Sequence, residues 1–223
     1  MPIGLVFEKL LELPLFQGMS RNDLNDVVAQ TRFGFNRLPK GNTVVSDGEA
    51  CNRLIFLTEG TLSVESRADD GSYSLVEQLN APNILQPERL FGLTQCFTKT
   101  FTTLSPCRFL ILDKAEAVRL SDKHQIFRIN LLNIISTQSQ RIAHQPWRTL
   151  PTGIRQKVAR FIEMHSMRPA GPKILHIKMQ TLANEIAESR LNLSRELNRM
   201  HAEGLIILSR GEISVPALER LMQ

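Results

Sequence analysis

The stretch Gln180–Val215 constrains this chain more than any other, because it carries a helix, a turn, a capped second helix and a hairpin in immediate succession. Ala183, Ile186, Ala187, Leu193, Leu197 and Met200 stand at helical spacing. The run is interrupted at Glu188-Ser189, where Ser189 is suited to accept from the free N–H groups of a helix that starts there. The leading exposed positions of that helix are Arg190, Asn192 and Arg195, with Leu191 between them. An arginine can pair bidentately with guanine and an asparagine with adenine in the DNA major groove, and an apolar side chain can meet a thymine methyl. Arg190, Asn192 and Arg195 are therefore the expected base readers. Glu203-Gly204-Leu205-Ile206-Ile207 has the form of a helix stop running into a strand, and Arg210-Gly211 can turn a hairpin back through Ile213-Ser214-Val215. A helix with base-reading side chains at its start, backed by a basic hairpin, is a winged helix-turn-helix. Lys178, Gln180, Thr181, Arg199 and Arg210 are the expected phosphate contacts that set its register.

The charge distribution agrees with this. The net charge is +5, yet residues 1–120 carry 12 Lys and Arg against 14 Asp and Glu. Residues 121–144 carry 3 against 1, and residues 145–223 carry 12 against 7. A basic third beside a slightly acidic remainder is expected where one part of a chain meets phosphates and the other does not. With 42% hydrophobic and 22% charged residues, the 223-residue chain can bury a core. It has no apolar run near the roughly 20 residues that span a bilayer. Met1–Leu5 lacks the cationic start of a secretory signal, so a cytoplasmic location without membrane contact is expected. Cys51, Cys96 and Cys107 are too few and scattered for a disulfide framework and are expected to be small buried hydrophobes. There is no phosphate-cradling glycine loop, no His/Cys metal spacing and no nucleophile elbow, which argues against an enzyme.

The rest of the chain divides into an α+β whole. Leu5–Phe16 and Leu24–Val28 read as helical, with a cap at Ser20. From Phe33 to about Leu112, short apolar segments such as Thr43–Val45, Leu54–Leu57, Thr61–Val64, Ser74–Val76 and Phe109–Leu112 alternate with glycine turns. That spacing predicts a β-barrel or jelly roll. From Ser121 to His144 a wide apolar face predicts one long helix, which can pack on both its own domain and a second copy of itself. The prolines Pro146 and Pro151 break it, and Thr152 is placed to cap the next helix. The expected organisation is a sensor-like β domain over 1–120, a dimerisation helix over 121–145 and the winged helix-turn-helix over 146–223.

Taken together, these residues resemble the Crp–Fnr family of bacterial transcription regulators. Pro39-Lys40-Gly41, Gly48-Glu49-Ala50, Leu54–Gly60, Gly71 and Leu79-Asn80 follow the pattern of its cyclic-nucleotide-binding domain, and Ser189–Arg195 follows its recognition helix, which implies that Ser189 and Leu191 join the base readers. The resemblance implies a homodimer on double-stranded DNA, with RNA polymerase as a further partner. Two departures stand out. The family's third recognition residue is Glu, which accepts from a cytosine amino group; here it is Leu191, so a different half-site is expected. Gln86-Pro87 replace the Gly-Glu that holds a ribose hydroxyl, and Phe97–Thr102 contains no Arg-Ser pair for a cyclic phosphate. Pro87 offers neither a carboxylate nor an N–H donor. The cassette is thus expected not to bind cyclic AMP. No cofactor is assigned. Gln86, Glu88, Arg89, Lys99 and Thr100 are the candidate lining for an unknown small-molecule effector. The alternative reading is a receptor module for a cyclic nucleotide or another small metabolite, without direct DNA regulation.

Overall fold

The computed structural model describes residues 3–222. Met1 and Pro2, used above in arguing against a secretory signal, lie outside them. The chain forms two compact units. One contains residues up to Leu62 together with Leu79–His144; the other contains Ser63–Gln78 together with the chain from Gln145 onward. Among the described residues, no helix is long and apolar enough to cross a membrane.

In chain order the elements up to His144 are α1 (Ile3–Glu12), α2 (Arg21–Gln30), β1 (Gly34–Leu38), β2 (Thr43–Val45), β3 (Arg53–Glu59), β4 (Thr61–Arg67), β5 (Tyr73–Asn80), β6 (Asn83–Leu85), β7 (Thr100–Thr103), β8 (Cys107–Asp113), α3 (Lys114–Lys123) and α4 (Gln125–His144). Short 3-10 turns occupy Pro14–Phe16 and Pro87–Arg89. In the first unit, β1, β8, β3 and β6 form an antiparallel sheet in that order, and β2 pairs with β7. This is a jelly roll of open sheets rather than a closed barrel. In strand β3, Leu54, Ile55, Phe56 and Leu57 are all buried, so both its faces are covered. Leu54 and Phe56, beside Leu112 and Leu110 of β8, face a core shared with Leu10, Leu24, Leu120 and Phe127 from the helices. Phe16 lies at its centre, with ring centroids 5.8 Å from Phe56 and 5.3 Å from Phe127. Ser20 caps α2 by accepting from the Asp23 N–H, as the sequence predicts.

The single long helix expected from Ser121 is two helices. His124 stands between α3 and α4 in an extended conformation, its N–H closing α3 on the Leu120 carbonyl. Its side chain is buried, 3.6 Å from Asp23. Ala117 and Leu120 give α3 an inner face of its own, and the apolar spacing restarts with Phe127 and Leu131.

The second unit holds the remaining elements α5 (Ile154–His165), β9 (Lys173–Ile177), α6 (Met179–Glu185), α7 (Arg190–Ala202), β10 (Ile207–Ser209), β11 (Glu212–Val215) and α8 (Leu218–Leu221). Its sheet runs β10-β11-β9-β5-β4. The pairing of β5 with β9, from Tyr73↔Ile177 to Glu77↔Lys173, places a hairpin from the middle of the sequence in the C-terminal unit. Leu75 accordingly joins Val158, Ile162, Leu175, Leu182, Leu193 and Leu197 in this core. The N-cap of α5 is Gly153, not Thr152: the helix begins one residue later than expected, with no side-chain cap. Cys51 and Cys107 are buried as expected, whereas Cys96 is half-buried.

Candidate nucleic-acid interface

Helix α6 ends on a left-handed residue. The Ala187 N–H donates to the Asn184 carbonyl at 3.2 Å and the Glu188 N–H to the Ala183 carbonyl at 2.9 Å, with Ala187 at φ +52°. This is the Schellman arrangement. It turns the chain directly into α7, whose first free N–H groups meet the Ser189 hydroxyl; the Asn192 N–H donates to it at 3.1 Å. The far end of α7 closes in the same way on Gly204, at φ +70°. Leu193, Leu197 and Met200 hold α7 in the core.

The outward side of α7 carries Leu191, Arg195 and Asn198, spaced i, i+4 and i+7, with Arg190 and Asn192 exposed at its start. Leu191 is 60% exposed, which for a leucine at the head of a helix marks a surface without a covering partner in the chain. Asn198 was missed by sequence reasoning. Its amide donates to the Ser194 carbonyl at 2.9 Å, and its position only becomes evident once the buried side of α7 is known. Ser189, expected among the base readers, commits its oxygen to the cap.

The acids around α7 are neutralised from behind. Lys157 of α5 pairs with Glu188 at 2.6 Å, and Arg155 reaches Glu196 at 3.4 Å and Glu203 at 2.5 Å. The Arg155 hydrogen bond holds the Glu203 carboxyl below the usual carboxylate range. These contacts fix α7 on α5 and cancel the negative charge nearest the exposed face. Arg199, expected on phosphate, also pairs with Glu203 at 3.1 Å while staying largely exposed. Arg190, Arg195, Lys178 and Arg210 are exposed and have no ion-pair partner among the described residues. Lys178 precedes α6, and the Gly211 carbonyl accepts from the Ile177 N–H at 3.0 Å, so the Arg210-Gly211 turn of the wing lies beside it. Gln180 donates to Asn184 at 2.9 Å, and Thr181 is half-buried on the same short helix.

The effector candidates lie in the first unit. Gln86 is buried in a left-handed conformation, φ 38°, and its amide is consumed: it donates to the Thr98 hydroxyl at 2.8 Å and accepts from the Thr98 N–H at 3.1 Å. Pro87 and Phe97 are buried on either side of this clamp. The Thr100 hydroxyl accepts from the Asp47 N–H at 3.2 Å. Glu88, Arg89 and Lys99 are half-buried. The Arg89 Nε lies buried without a hydrogen-bond partner among the described residues.

Comparison with known proteins matches both units. Residues 35–124 match the model of the cyclic nucleotide-binding domain, and residues 156–223 match that of the Crp-like helix-turn-helix domain. A CRP-like cAMP-activated global transcriptional regulator of Mycobacterium tuberculosis is 23% identical over 196 residues, which cover 82% of this chain and 84% of that protein. Among solved structures, the sensor domain of the transcriptional regulator DNR from Pseudomonas aeruginosa is 20% identical with a TM-score of 0.53, covering 67% of this chain and 96% of its own. The c-di-GMP responsive global regulator CLP of Xanthomonas campestris is 17% identical with a TM-score of 0.50, covering 88% and 99%. Those two share the fold. With a nucleotide-binding-type jelly roll followed by a Crp-like winged helix-turn-helix, the chain belongs to the Crp–Fnr family of transcription regulators.

Proposed function

We propose that this chain is a cytoplasmic homodimer that reads a palindromic operator, with α7 in the major groove and the β10–β11 wing on the backbone. One observation carries the reading: on the exposed side of α7, Arg190 and Arg195 have no ion-pair partner among the described residues, while Glu188, Glu196 and Glu203 are taken up by Arg155, Lys157 or Arg199. Arg190, Leu191, Asn192, Arg195 and Asn198 then face base edges, and Lys178, Gln180, Thr181 and Arg210 face phosphates. Dimerisation is supported by α4. Its inner residues Phe127 and Leu131 are buried, while Ile126, Ile129, Leu132 and Ile142 are 39%, 40%, 55% and 63% exposed. A second copy of α4 would cover Ile126, Ile129 and Leu132, and two recognition helices would match two half-sites.

The cassette is proposed not to take cyclic AMP. The relative from Mycobacterium tuberculosis is named for activation by that nucleotide. Here buried Pro87 and Phe97 flank Gln86, whose amide is bonded to Thr98; Pro87 offers no carboxylate where a ribose hydroxyl would be held, and Phe97–Thr102 offers no guanidinium to a cyclic phosphate. Glu88, Arg89 and Lys99 remain the proposed polar contacts for another effector, and contact with RNA polymerase is proposed on family grounds. An effector acts only through unequal affinity for two arrangements of the dimer.

A mobility-shift assay on a selected operator tests the reading. Arg190→Ala and Arg195→Ala are each expected to cost about 1–3 kcal/mol of specific binding, the scale of one bidentate base contact. Lys178→Ala is expected to weaken binding to all sequences alike. Unchanged operator affinity in both arginine variants contradicts the assignment.

A further inference from the structure

On the jelly roll, away from the Gln86–Thr98 clamp, two cations share one carboxylate and a third, Arg37, stands beside them. Arg37 of β1 and Arg108 of β8 stand directly opposite each other in the antiparallel register. Glu59 of β3 stands opposite Arg108 on its other side, just beyond a register shift in that strand pair. Glu59 already holds two cations, Arg108 at 3.1 Å and Lys9 of α1 at 3.4 Å. Arg37 is exposed and has no ion-pair partner among the described residues.

Like charges directly opposite in an antiparallel pair repel, because their Cβ atoms lie only about 5 Å apart. Two guanidinium forks side by side also form a natural receiver for an anion with several oxygens, since each can bond it bidentately. A hollow of about 390 Å³ opens at this place, walled by Arg37, Leu38, Pro39, Glu59, Pro106 and Arg108. Phe35 lies two residues before Arg37 on the same face of β1 and is 50% exposed. Phe35 and Lys9 line a smaller neighbouring hollow that shares Arg37, Glu59 and Arg108 with this one, so the charged end adjoins apolar walls and an open aromatic ring. The volume of the larger hollow suits a small ligand rather than a protein segment.

We infer that this hollow is a binding site for a small organic phosphate, a phosphate monoester with a compact apolar body. Arg37 and Arg108 take the phosphate oxygens, Lys9 and Glu59 hold Arg108 in place, and Phe35, Leu38 and Pro39 carry the body. The site is separate from both the cassette and the recognition helix, so a phosphate ester here would act on the sensor unit from outside.

Calorimetric titration of the full-length chain with phenyl phosphate, at constant ionic strength, tests the inference. The expected result is saturable binding at one site, weakened at least tenfold by Arg37→Gln and unchanged by Arg190→Ala combined with Arg195→Ala. Arg37→Lys, which keeps the charge but loses the fork, should fall between. Inorganic phosphate should bind more weakly than phenyl phosphate, and Phe35→Ala should erase that difference. Absence of saturable binding, or equal affinity in the chain and Arg37→Gln, overturns the site. Equal affinity for the two phosphates overturns the assignment of an organic body to Phe35.

Discussion

Replacing Glu77 by glutamine should unfold the C-terminal unit at markedly lower denaturant. The pair it forms with Lys173 is almost fully enclosed, with side-chain exposures of 4% and 3%, and the ions lie 2.7 Å apart. At an effective dielectric of about 20, their attraction is about 6 kcal/mol, which roughly offsets the several kcal/mol needed to take each ion out of water. The intact pair is thus nearly neutral for stability, but its halves are not. Both carboxylate oxygens of Glu77 are in use: one faces the Lys173 ammonium, and the other accepts from the Met167 N–H at 2.7 Å. The amide of E77Q has a single acceptor, so either the ammonium or the Met167 N–H must face a donor. Lys173 would keep only the Ala170 carbonyl, at 2.9 Å. The expected loss is about 3–5 kcal/mol, the usual consequence of stranding a buried charge. With a urea slope of about 2 kcal/mol/M, the midpoint for this unit should fall by about 1.5–2.5 M. The double variant E77L/K173M should recover most of that loss, leaving about 1–2 kcal/mol for the hydrogen bonds that Glu77 accepted from the Met167 and Arg168 N–H groups. Equilibrium urea unfolding followed by circular dichroism decides it. A loss under about 1 kcal/mol in E77Q, or a double variant no better than the single, would refute the reasoning.

Three further outcomes follow from local geometry. Ala187 occupies a left-handed turn position, as Gly204 does at the end of α7; Ala187→Gly should therefore stabilise by about 0.5 kcal/mol, the strain relieved less the entropy lost by glycine, and a lower urea midpoint would contradict this. Gly60 stands at φ +98°, and a Cβ there would lie 2.6 Å from both the Cys107 Sγ and the Pro106 carbonyl oxygen; Gly60→Ala should cost about 3 kcal/mol or more, and a near-native melting temperature would show that the turn can open. Glu203, bonded by Arg155, and Glu219, bonded by the Gly171 N–H, both have carboxyls held below the usual value of 4.5. Their folded pKa values are thus below the unfolded ones, so the stability they add is complete above about pH 4.5 and is lost as pH falls through the lowered values. Glu203→Gln should flatten that acid dependence in urea midpoints measured across this range, and parallel curves for the two proteins would count against the assignment.

What could be read from the sequence was local. The Ser189 and Ser20 caps, the stop at Gly204 and the Arg210-Gly211 turn each depend on a few neighbouring residues, and each forms where expected. What could not be read was the partnership of distant segments. Ser74-Leu75-Val76 looks like one more strand of the jelly roll, and only its pairing with Ile174–His176 places it in the C-terminal unit. The same pairing sets Glu77 against Lys173, which in sequence look like two solvated charges. Gly153 stands at the cap in place of Thr152, since either of the two residues before Ile154 is a start that the pattern allows. At the interface, the exposure of Arg190, Asn192 and Arg195 follows from helical periodicity. The pairing of Arg199 with Glu203 and the commitment of Gln86 to Thr98 do not, since each depends on which of several polar neighbours the folded chain brings closest.

The central claim is that the exposed side of α7, presented twice by a dimer, reads a particular DNA sequence. Selection of bound duplexes from a random pool by the purified chain, with no ligand added, tests it most directly. The account predicts enrichment of a two-fold palindrome whose half-sites sit about one helical turn apart. Guanine or adenine should recur where Arg190, Asn192 and Arg195 reach, and thymine should be favoured opposite Leu191. Recovery of duplexes with no shared sequence, or of a single unrepeated site, would contradict it.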